Sequence, residues 1–122
     1  MKIKNIMVVE DENIIAMDIK FRLKSLGYNI PAVVPSGEEA IETAGRLKPD
    51  LILMDILLRG EMDGVEAAEY ILKENHIPVI FLTSFSDAQT LKLAHDASPF
   101  GYLIKPLNED ELKSKLDAMK LN

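Results

Sequence analysis

Residues that could carry out chemistry stand at the ends of four apolar, strand-like segments of this chain. Glu10 and Asp11 follow the first segment, and Asp55 ends the second. Thr83 closes the third segment, and Lys105 follows the fourth. A charged residue within an apolar strand is costly unless it is paired, protonated or bound to a metal. Carboxylates, a hydroxyl and an ammonium group that meet at one place are typical of a phosphoryl-transfer site.

The segments that carry these residues alternate between strand and helix patterns. Apolar runs predict strands at 4–9, 28–34, 50–56, 77–83 and 100–104. Apolar stripes and capping residues predict helices at 12–26, 36–47, 64–74, 86–97 and 108–120. The second helix is expected to bury Ala40, Ala44 and Leu47, and the last to bury Leu112, Leu116 and Met119. This alternation is typical of repeated β/α units.

Five β/α units predict a single α/β domain spanning 1–122, with a five-stranded parallel sheet and helices on both faces. Pro31 cannot donate to a sheet ladder, so the second strand should lie at an edge. The flavodoxin-like order 2-1-3-4-5 satisfies this condition and places the functional crevice between strands 1 and 3. Glu10, Asp11 and Asp55 should therefore lie together at the carboxyl edge of the sheet.

Three adjacent carboxylates repel one another unless one is protonated or a cation lies among them. All the candidate ligand atoms in this cluster are oxygens, which favours Mg²⁺ over Ca²⁺ or Mn²⁺. Two structural interpretations compete with a metal site. The cluster could be satisfied by Lys105 and backbone N–H groups, and Asp11 could cap the helix that follows.

The composition excludes several other functions. A net charge of −6, with 14 dispersed Lys and Arg residues, argues against a nucleic-acid-binding surface. The absence of cysteine rules out disulfides and thiolate metal sites. No apolar run reaches the ~20 residues that cross a bilayer, so we expect no membrane association and a cytoplasmic location.

The chain resembles the receiver domains of two-component response regulators over essentially its whole length. Five motifs carry the resemblance, at 8–12 (VVEDE), 53–56 (LMDI), 62–64 (MDG), 79–84 (VIFLTS) and 101–106 (GYLIKP). The resemblance implies phosphorylation by a sensor histidine kinase, with no enzymatic activity beyond the domain's own phosphorylation and dephosphorylation. It also implies either a downstream protein partner or an output domain missing from this chain.

The resemblance assigns a role to each candidate residue. It implies that Asp55 accepts the phosphoryl group and that Thr83 and Lys105 hold the phosphoryl oxygens. It also implies that Asp55, Asp11 and the backbone carbonyl of Leu57 bind Mg²⁺, with Glu10 helping directly or through water. The Lys105–Pro106 peptide would be cis. Thr83 and Tyr102 would form the conformational switch.

Two positions depart from the usual receiver pattern. Glu10 stands where Asp is more common, so its carboxylate reaches one methylene further. The segment 57–61 is one residue longer than usual and lacks a proline, which leaves the role of the Leu57 carbonyl open.

Other functions fit the sequence less well. A flavodoxin-type FMN binder would need a phosphate-binding loop after strand 1, where Glu10 and Asp11 would repel a phosphate. A phosphatase of the haloacid dehalogenase type would need an acid at position 57, which is leucine. A receiver-like binding module that is never phosphorylated remains the alternative, although such modules usually lose site residues.

Two further expectations concern the rim of the site. Ile14 and Ile15 are adjacent, and one narrow core stripe should not bury both, so with Pro106 and Leu107 they are predicted to dock the kinase. Leu57 and Phe85 lie two residues after Asp55 and Thr83. Because both are apolar, neither can orient a hydrolytic water, and we expect slow loss of the phosphoryl group.

Overall fold

A computed structural model describes residues 3–58, 60–84 and 101–120, which contain five strands and four helices. The strands are β1 (Ile6–Val9), β2 (Val33–Val34), β3 (Leu51–Asp55), β4 (Val79–Thr83) and β5 (Tyr102–Ile104). The helices are α1 (Asn13–Ser25), α2 (Gly37–Leu47), α3 (Gly64–Asn75) and α4 (Glu109–Lys120). The helix predicted at 86–97 and the first residue of the strand predicted at 100–104 lie outside the described residues. None of the described helices combines the length and apolar character needed to span a membrane.

All strand pairs are parallel, and the sheet order is β2-β1-β3-β4-β5, which confirms the predicted topology. Every residue of β1, β3 and β4 is buried. This burial follows from their near-continuous apolar sequence, because a central parallel strand is covered on both faces. The carboxyl ends of these three strands therefore meet at one edge of the sheet.

The edge strand β2 is much shorter than the strand predicted at 28–34. Only Val33 and Val34 pair regularly with β1, and upstream of them there is a single isolated bridge between Asn5 and Asn29. Pro31 lies between the bridge and the strand, where its missing N–H interrupts a continuous ladder. The predicted edge position is nevertheless confirmed.

Two apolar clusters pack on opposite faces of the sheet. One contains Ile19 and Leu23 of α1 with Leu112, Leu116 and Met119 of α4, as their helical spacing predicts. The other contains Ala40 and Ala44 of α2 with Ala67, Ala68 and Ile71 of α3. The prediction that Leu47 shares this second stripe is wrong. Leu47 is 39% exposed at the last residue of α2, where the chain turns away through the left-handed Lys48.

Side-chain caps begin two of the helices where the sequence predicts them. Ser36 Oγ accepts the N–H of Glu39 at 3.2 Å at the start of α2. Asn108 Oδ1 accepts the N–H groups of Asp110 and Glu111 at 2.8 and 3.1 Å before α4. These bonds satisfy backbone donors that the first helical turn leaves unpaired.

Candidate phosphoryl-transfer site

Three carboxylates meet where β1 and β3 end. Val9 and Met54 are register partners in these strands, so Glu10 and Asp55 follow side by side. One carboxylate oxygen from each of Glu10, Asp11 and Asp55 lies within 4.8 Å of the other two. The predicted clustering is therefore confirmed. The N-cap position of α1 is Glu12, one residue after Asp11.

Asp55 is 5% exposed, and each of its carboxylate oxygens has a partner. Oδ1 accepts the N–H of Leu57 at 3.0 Å, and Oδ2 lies 3.1 Å from Lys105 Nζ. These contacts fix the orientation of a carboxylate that the apolar strand β3 would not otherwise hold. They compensate part of the cost of burying the charge.

Glu10 is more deeply buried than Asp55, at 2% exposure. Burial, followed by the charge of Asp55, raises the pKa of Glu10 to about 7, against the opposing effects of the Glu12 N–H and of Lys105. Its Oε1 accepts the N–H of Glu12 at 3.2 Å. Glu10 thus changes charge near neutral pH when no cation is bound.

Lys105 follows β5, where its backbone N–H donates to the carbonyl oxygen of Thr83 at 2.7 Å. Burial acts to lower the pKa of Lys105, but the hydrogen bond to Asp55 and the charges of Asp55 and Glu10 outweigh it and raise the pKa. The ammonium group is therefore held in its charged form between two carboxylates. The Lys105–Pro106 peptide is cis, as the family resemblance implied.

Thr83 supplies a hydroxyl with no hydrogen-bond partner among the described residues. The residue is 1% exposed, and a buried polar atom without a partner costs about 1–3 kcal/mol. Thr83 ends β4, one residue after the register partner of Asp55, and its hydroxyl could complete its hydrogen bonding with a ligand there. An anionic oxygen that accepts the O–H would do so.

The site opens into a cleft of about 380 Å³, lined by Asp11, Asp55, Leu57, Asp63, Ser84 and Lys105 among others. The residues present fit a hard divalent cation, because the described cluster offers three carboxylate oxygens within 4.8 Å of one another, and oxygen ligands suit such an ion. Leu57 is 64% exposed at this cleft, while Phe85 lies outside the described residues.

The predicted switch residues lie on neighbouring strands. Thr83 of β4 is the register partner of Ile104, and Phe81 is the partner of Tyr102. Register partners in a parallel sheet point to the same face, and so do residues two apart, so Thr83 and Tyr102 share a face. Tyr102 is half-buried and packs against the cluster that contains Phe81.

The four predicted docking residues line one apolar groove of about 520 Å³ beside Lys105. Ile14 is 85% exposed and Pro106 is exposed, whereas Ile15 is half-buried against the core. Leu107 is only 7% exposed, so it forms the floor of the groove and belongs to the core. As expected, one stripe does not bury both isoleucines.

The sequence analysis missed Met17 and Phe21, which continue the exposed apolar surface of α1 from Ile14. They are 70% and 71% exposed. Their signal was available, because residues 14, 17 and 21 form a second apolar stripe at i, i+3 and i+7 beside the core stripe.

This parallel sheet, with acids, a threonine and a lysine at its carboxyl edge, has the architecture of a flavodoxin-like receiver. The chain belongs to the response regulator receiver domain family, whose model matches residues 6–117. The general activity of this class in two-component systems is acceptance of a phosphoryl group.

Individual relatives agree with this assignment. The transcriptional regulatory protein PdtaR of Mycobacterium tuberculosis is 36% identical over 109 residues, which cover 89% of this chain and 53% of PdtaR. This chain thus spans about half the length of that curated relative.

Solved receiver structures are similar over nearly the whole chain. The signal receiver domain of a modulated diguanylate cyclase from Desulfovibrio desulfuricans has a TM-score of 0.87 and 38% identity, covering 96% of this chain and 93% of that one. The receiver domain of the Pseudomonas aeruginosa sensor histidine kinase PA1611 has a TM-score of 0.82 and 33% identity. The match covers 96% of this chain and 97% of that one. That structure holds a magnesium ion in its active-site cleft.

Proposed function

We propose that this domain accepts a phosphoryl group on Asp55 from a sensor histidine kinase, in a reaction that requires Mg²⁺. The observation that carries the proposal is the position of Asp55. It is a nearly buried carboxylate at a strand end, 3.1 Å from a lysine ammonium and beside two further carboxylates in an open cleft. A purely structural aspartate would need neither the cleft nor the two other acids.

In the transfer step, a carboxylate oxygen of Asp55 attacks phosphorus and forms the new O–P bond. The bond from phosphorus to the donor breaks, and the donor keeps its electron pair. The product is an acyl phosphate, with the aspartate as nucleophile. Lys105 neutralises charge on the phosphoryl oxygens, and the Thr83 hydroxyl donates to one of them.

Asp55, Asp11 and Glu10 would hold the metal, with the Leu57 carbonyl as a further ligand by family resemblance. When bound, Mg²⁺ supplies charge neutralisation for the phosphoryl oxygens. The chain's own contribution is to hold Asp55 in one orientation. Leu57 N–H and Lys105 Nζ achieve this from opposite oxygens of the carboxylate.

The signal would pass from Thr83 to Tyr102 and so change the surface around β5. The kinase would dock at the groove formed by Ile14, Ile15, Pro106 and Leu107, next to the site. The phosphorylated domain would act on a downstream protein partner or an output domain outside this chain, in the cytoplasm. Nucleic acid and membrane are not expected partners of this domain.

Phosphorylation is tested by incubating the protein with acetyl phosphate and Mg²⁺ and measuring its intact mass. We expect the addition of one phosphoryl group to the natural protein and none to Asp55→Asn. Asp50→Asn is the matched control, because Asp50 pairs with the N–H groups of Lys4 and Asn5 away from the site. Equal labelling of Asp55→Asn would refute the assignment, and absence of labelling in the natural protein would favour a binding module that is never phosphorylated.

A further inference from the structure

The segment between β3 and α3 shapes the site from one side. Leu57, at its start, donates its N–H to Asp55 Oδ1 at 3.0 Å. At its base, the N–H of Gly64 meets the carbonyl oxygen of Ile56 at 3.3 Å. A Cβ on Gly64 would lie 2.7 Å from the carbonyl oxygen of Asp55, so only glycine allows this closure. We call residues 57–63 the β3–α3 loop, of which residue 59 is not described.

A carboxylate from α2 contacts the backbone of this loop at Met62 and lies close to Gly60. Glu38 Oε1 accepts the N–H of Met62 at 3.0 Å. Gly60 has a φ of 110°, and a Cβ there would lie 3.1 Å from Glu38 Oε2. The loop backbone thus passes directly against the Glu38 carboxylate, in a conformation that only glycine adopts without strain.

The first turn of α2 also packs tightly against the loop. A Cβ on Gly37 would lie 3.1 Å from Ala67 Cβ and 3.3 Å from the carbonyl oxygen of Met62. Glycine at 37 therefore brings α2 close enough for the neighbouring Glu38 to reach the loop. Glu38 and Glu39 are both exposed, but Glu39 donates its backbone N–H to Ser36 Oγ and has no contact with the described part of the loop.

We propose that Glu38 is a positioning residue of the phosphorylation site. Its carboxylate fastens the β3–α3 loop to α2, and the loop in turn holds the Asp55 carboxylate and the Leu57 backbone in place. The proposal rests on the function proposed above. It answers a question that the sequence left open, namely how a loop one residue longer than usual and without proline keeps a defined shape.

The role is specific to an oxygen acceptor at this position. Glu38→Ala removes the acceptor, whereas Glu38→Gln keeps an amide oxygen that can accept the same N–H. Glu39→Ala removes the same charge from the same helical turn without touching the loop. The three variants separate loss of the contact from loss of charge near the N-terminus of α2.

The test combines two measurements. Hydrogen exchange of the Met62 amide is followed by NMR in metal-free protein, and the Mg²⁺ dissociation constant is measured by calorimetry. We expect Glu38→Ala to speed exchange at Met62 and to raise the dissociation constant by about 10-fold, the lower end of typical effects for residues that orient metal ligands. Glu38→Gln and Glu39→Ala should match the natural protein in both measurements.

Gly60→Ala changes the loop side of the same contact, because its Cβ would lie close to the Glu38 carboxylate. This variant should also bind Mg²⁺ more weakly, and it can be measured even if Glu38→Ala does not fold. If folded Glu38→Ala binds Mg²⁺ as the natural protein does, or if Glu38→Gln loses as much affinity as Glu38→Ala, the positioning role is wrong. Failure of the proposed function looks different, because the natural protein itself would then neither bind Mg²⁺ nor accept phosphate.

Discussion

Glu10 Oε2 lies 3.4 Å from Lys105 Nζ, yet the pKa of Glu10 is raised to about 7. Burial and the neighbouring charge of Asp55 together outweigh the attraction of the lysine. The pair is therefore not a simple salt bridge. In the absence of a cation, one ammonium group contacts two buried carboxylates, and Glu10 takes up a proton near pH 7.

This arrangement predicts how stability depends on pH in metal-free protein. The folded-state pKa of Glu10 exceeds its ordinary value of 4.5, so the folded state binds more protons between pH 4.5 and about 7. The contribution of Glu10 to the free energy of unfolding must fall as pH rises through that window. Relative to the natural protein, Glu10→Gln should be more stable by less than about 1 kcal/mol at pH 5 and by up to about 3 kcal/mol at pH 8.

Urea unfolding in EDTA at the two pH values measures this difference. Glu12→Gln is the control, because the Glu12 side chain is exposed and only its N–H contacts Glu10. Parallel pH profiles for the natural protein and Glu10→Gln would contradict the prediction. Saturating Mg²⁺ should flatten the natural profile, because the cation favours the ionised carboxylate.

A second prediction concerns the switch. Fluoroberyllate with Mg²⁺ should mimic the phosphoryl group and engage the unpaired hydroxyl of Thr83. Amide NMR shifts should then spread along β5 to Tyr102 rather than stay at Glu10, Asp11 and Asp55. Thr83→Val keeps the shape of the side chain but removes its donor, so it should bind the mimic and lose the shift at Tyr102. Shifts confined to the three acids in the natural protein would show that this relay is absent.

The exposed isoleucine of α1 should matter to the kinase and not to the fold. Ile14 is 85% exposed, so Ile14→Ala should change stability by less than about 0.5 kcal/mol and leave labelling by acetyl phosphate intact. Transfer from the cognate kinase should drop strongly. Half-buried Ile15 packs on the core, and Ile15→Ala should cost about 1–2 kcal/mol, below the range for fully buried isoleucines.

Thermal melting and phosphotransfer assays separate these effects. Tyr70→Ala is a suitable control, because Tyr70 is 49% exposed on α3, away from the groove. Undiminished phosphotransfer to Ile14→Ala would place the docking surface elsewhere.

The lifetime of the acyl phosphate gives a fourth prediction. Leu57 lines the cleft and offers no side-chain group that could orient a water behind phosphorus. The natural protein should therefore lose its phosphoryl group slowly, and Leu57→Asn or Leu57→Glu should shorten the lifetime. Decay of phosphoprotein after removal of the donor is the measurement. Fast natural decay, or the same decay in both variants, would refute the idea that Leu57 controls access.

The sequence alone was sufficient to predict the sheet order and the meeting of three acids at one edge of the sheet. These predictions depend on features that are visible in short segments: apolar strands buried on both faces, a proline that restricts one strand to an edge, and acids at strand ends. The nearly obligatory handedness of β/α units then fixes how the segments are arranged. The clustering of Glu10, Asp11 and Asp55 follows from these constraints. The predicted length of β2 was wrong, because the missing N–H of Pro31 interrupts the ladder and only Val33 and Val34 pair regularly with β1.

The tertiary structure alone decided the electrostatics and the support of the site. Whether Lys105 pairs with Asp55, with Glu10 or with both depends on ångström-scale positions of side chains from β1, β3 and the end of β5. The contact between Glu38 and Met62 joins residues 24 apart in sequence, and no helical or strand periodicity of the sequence predicts it. Spacing along the chain specifies which residues reach the same edge of the sheet, but burial and contact geometry determine their charges and their partners.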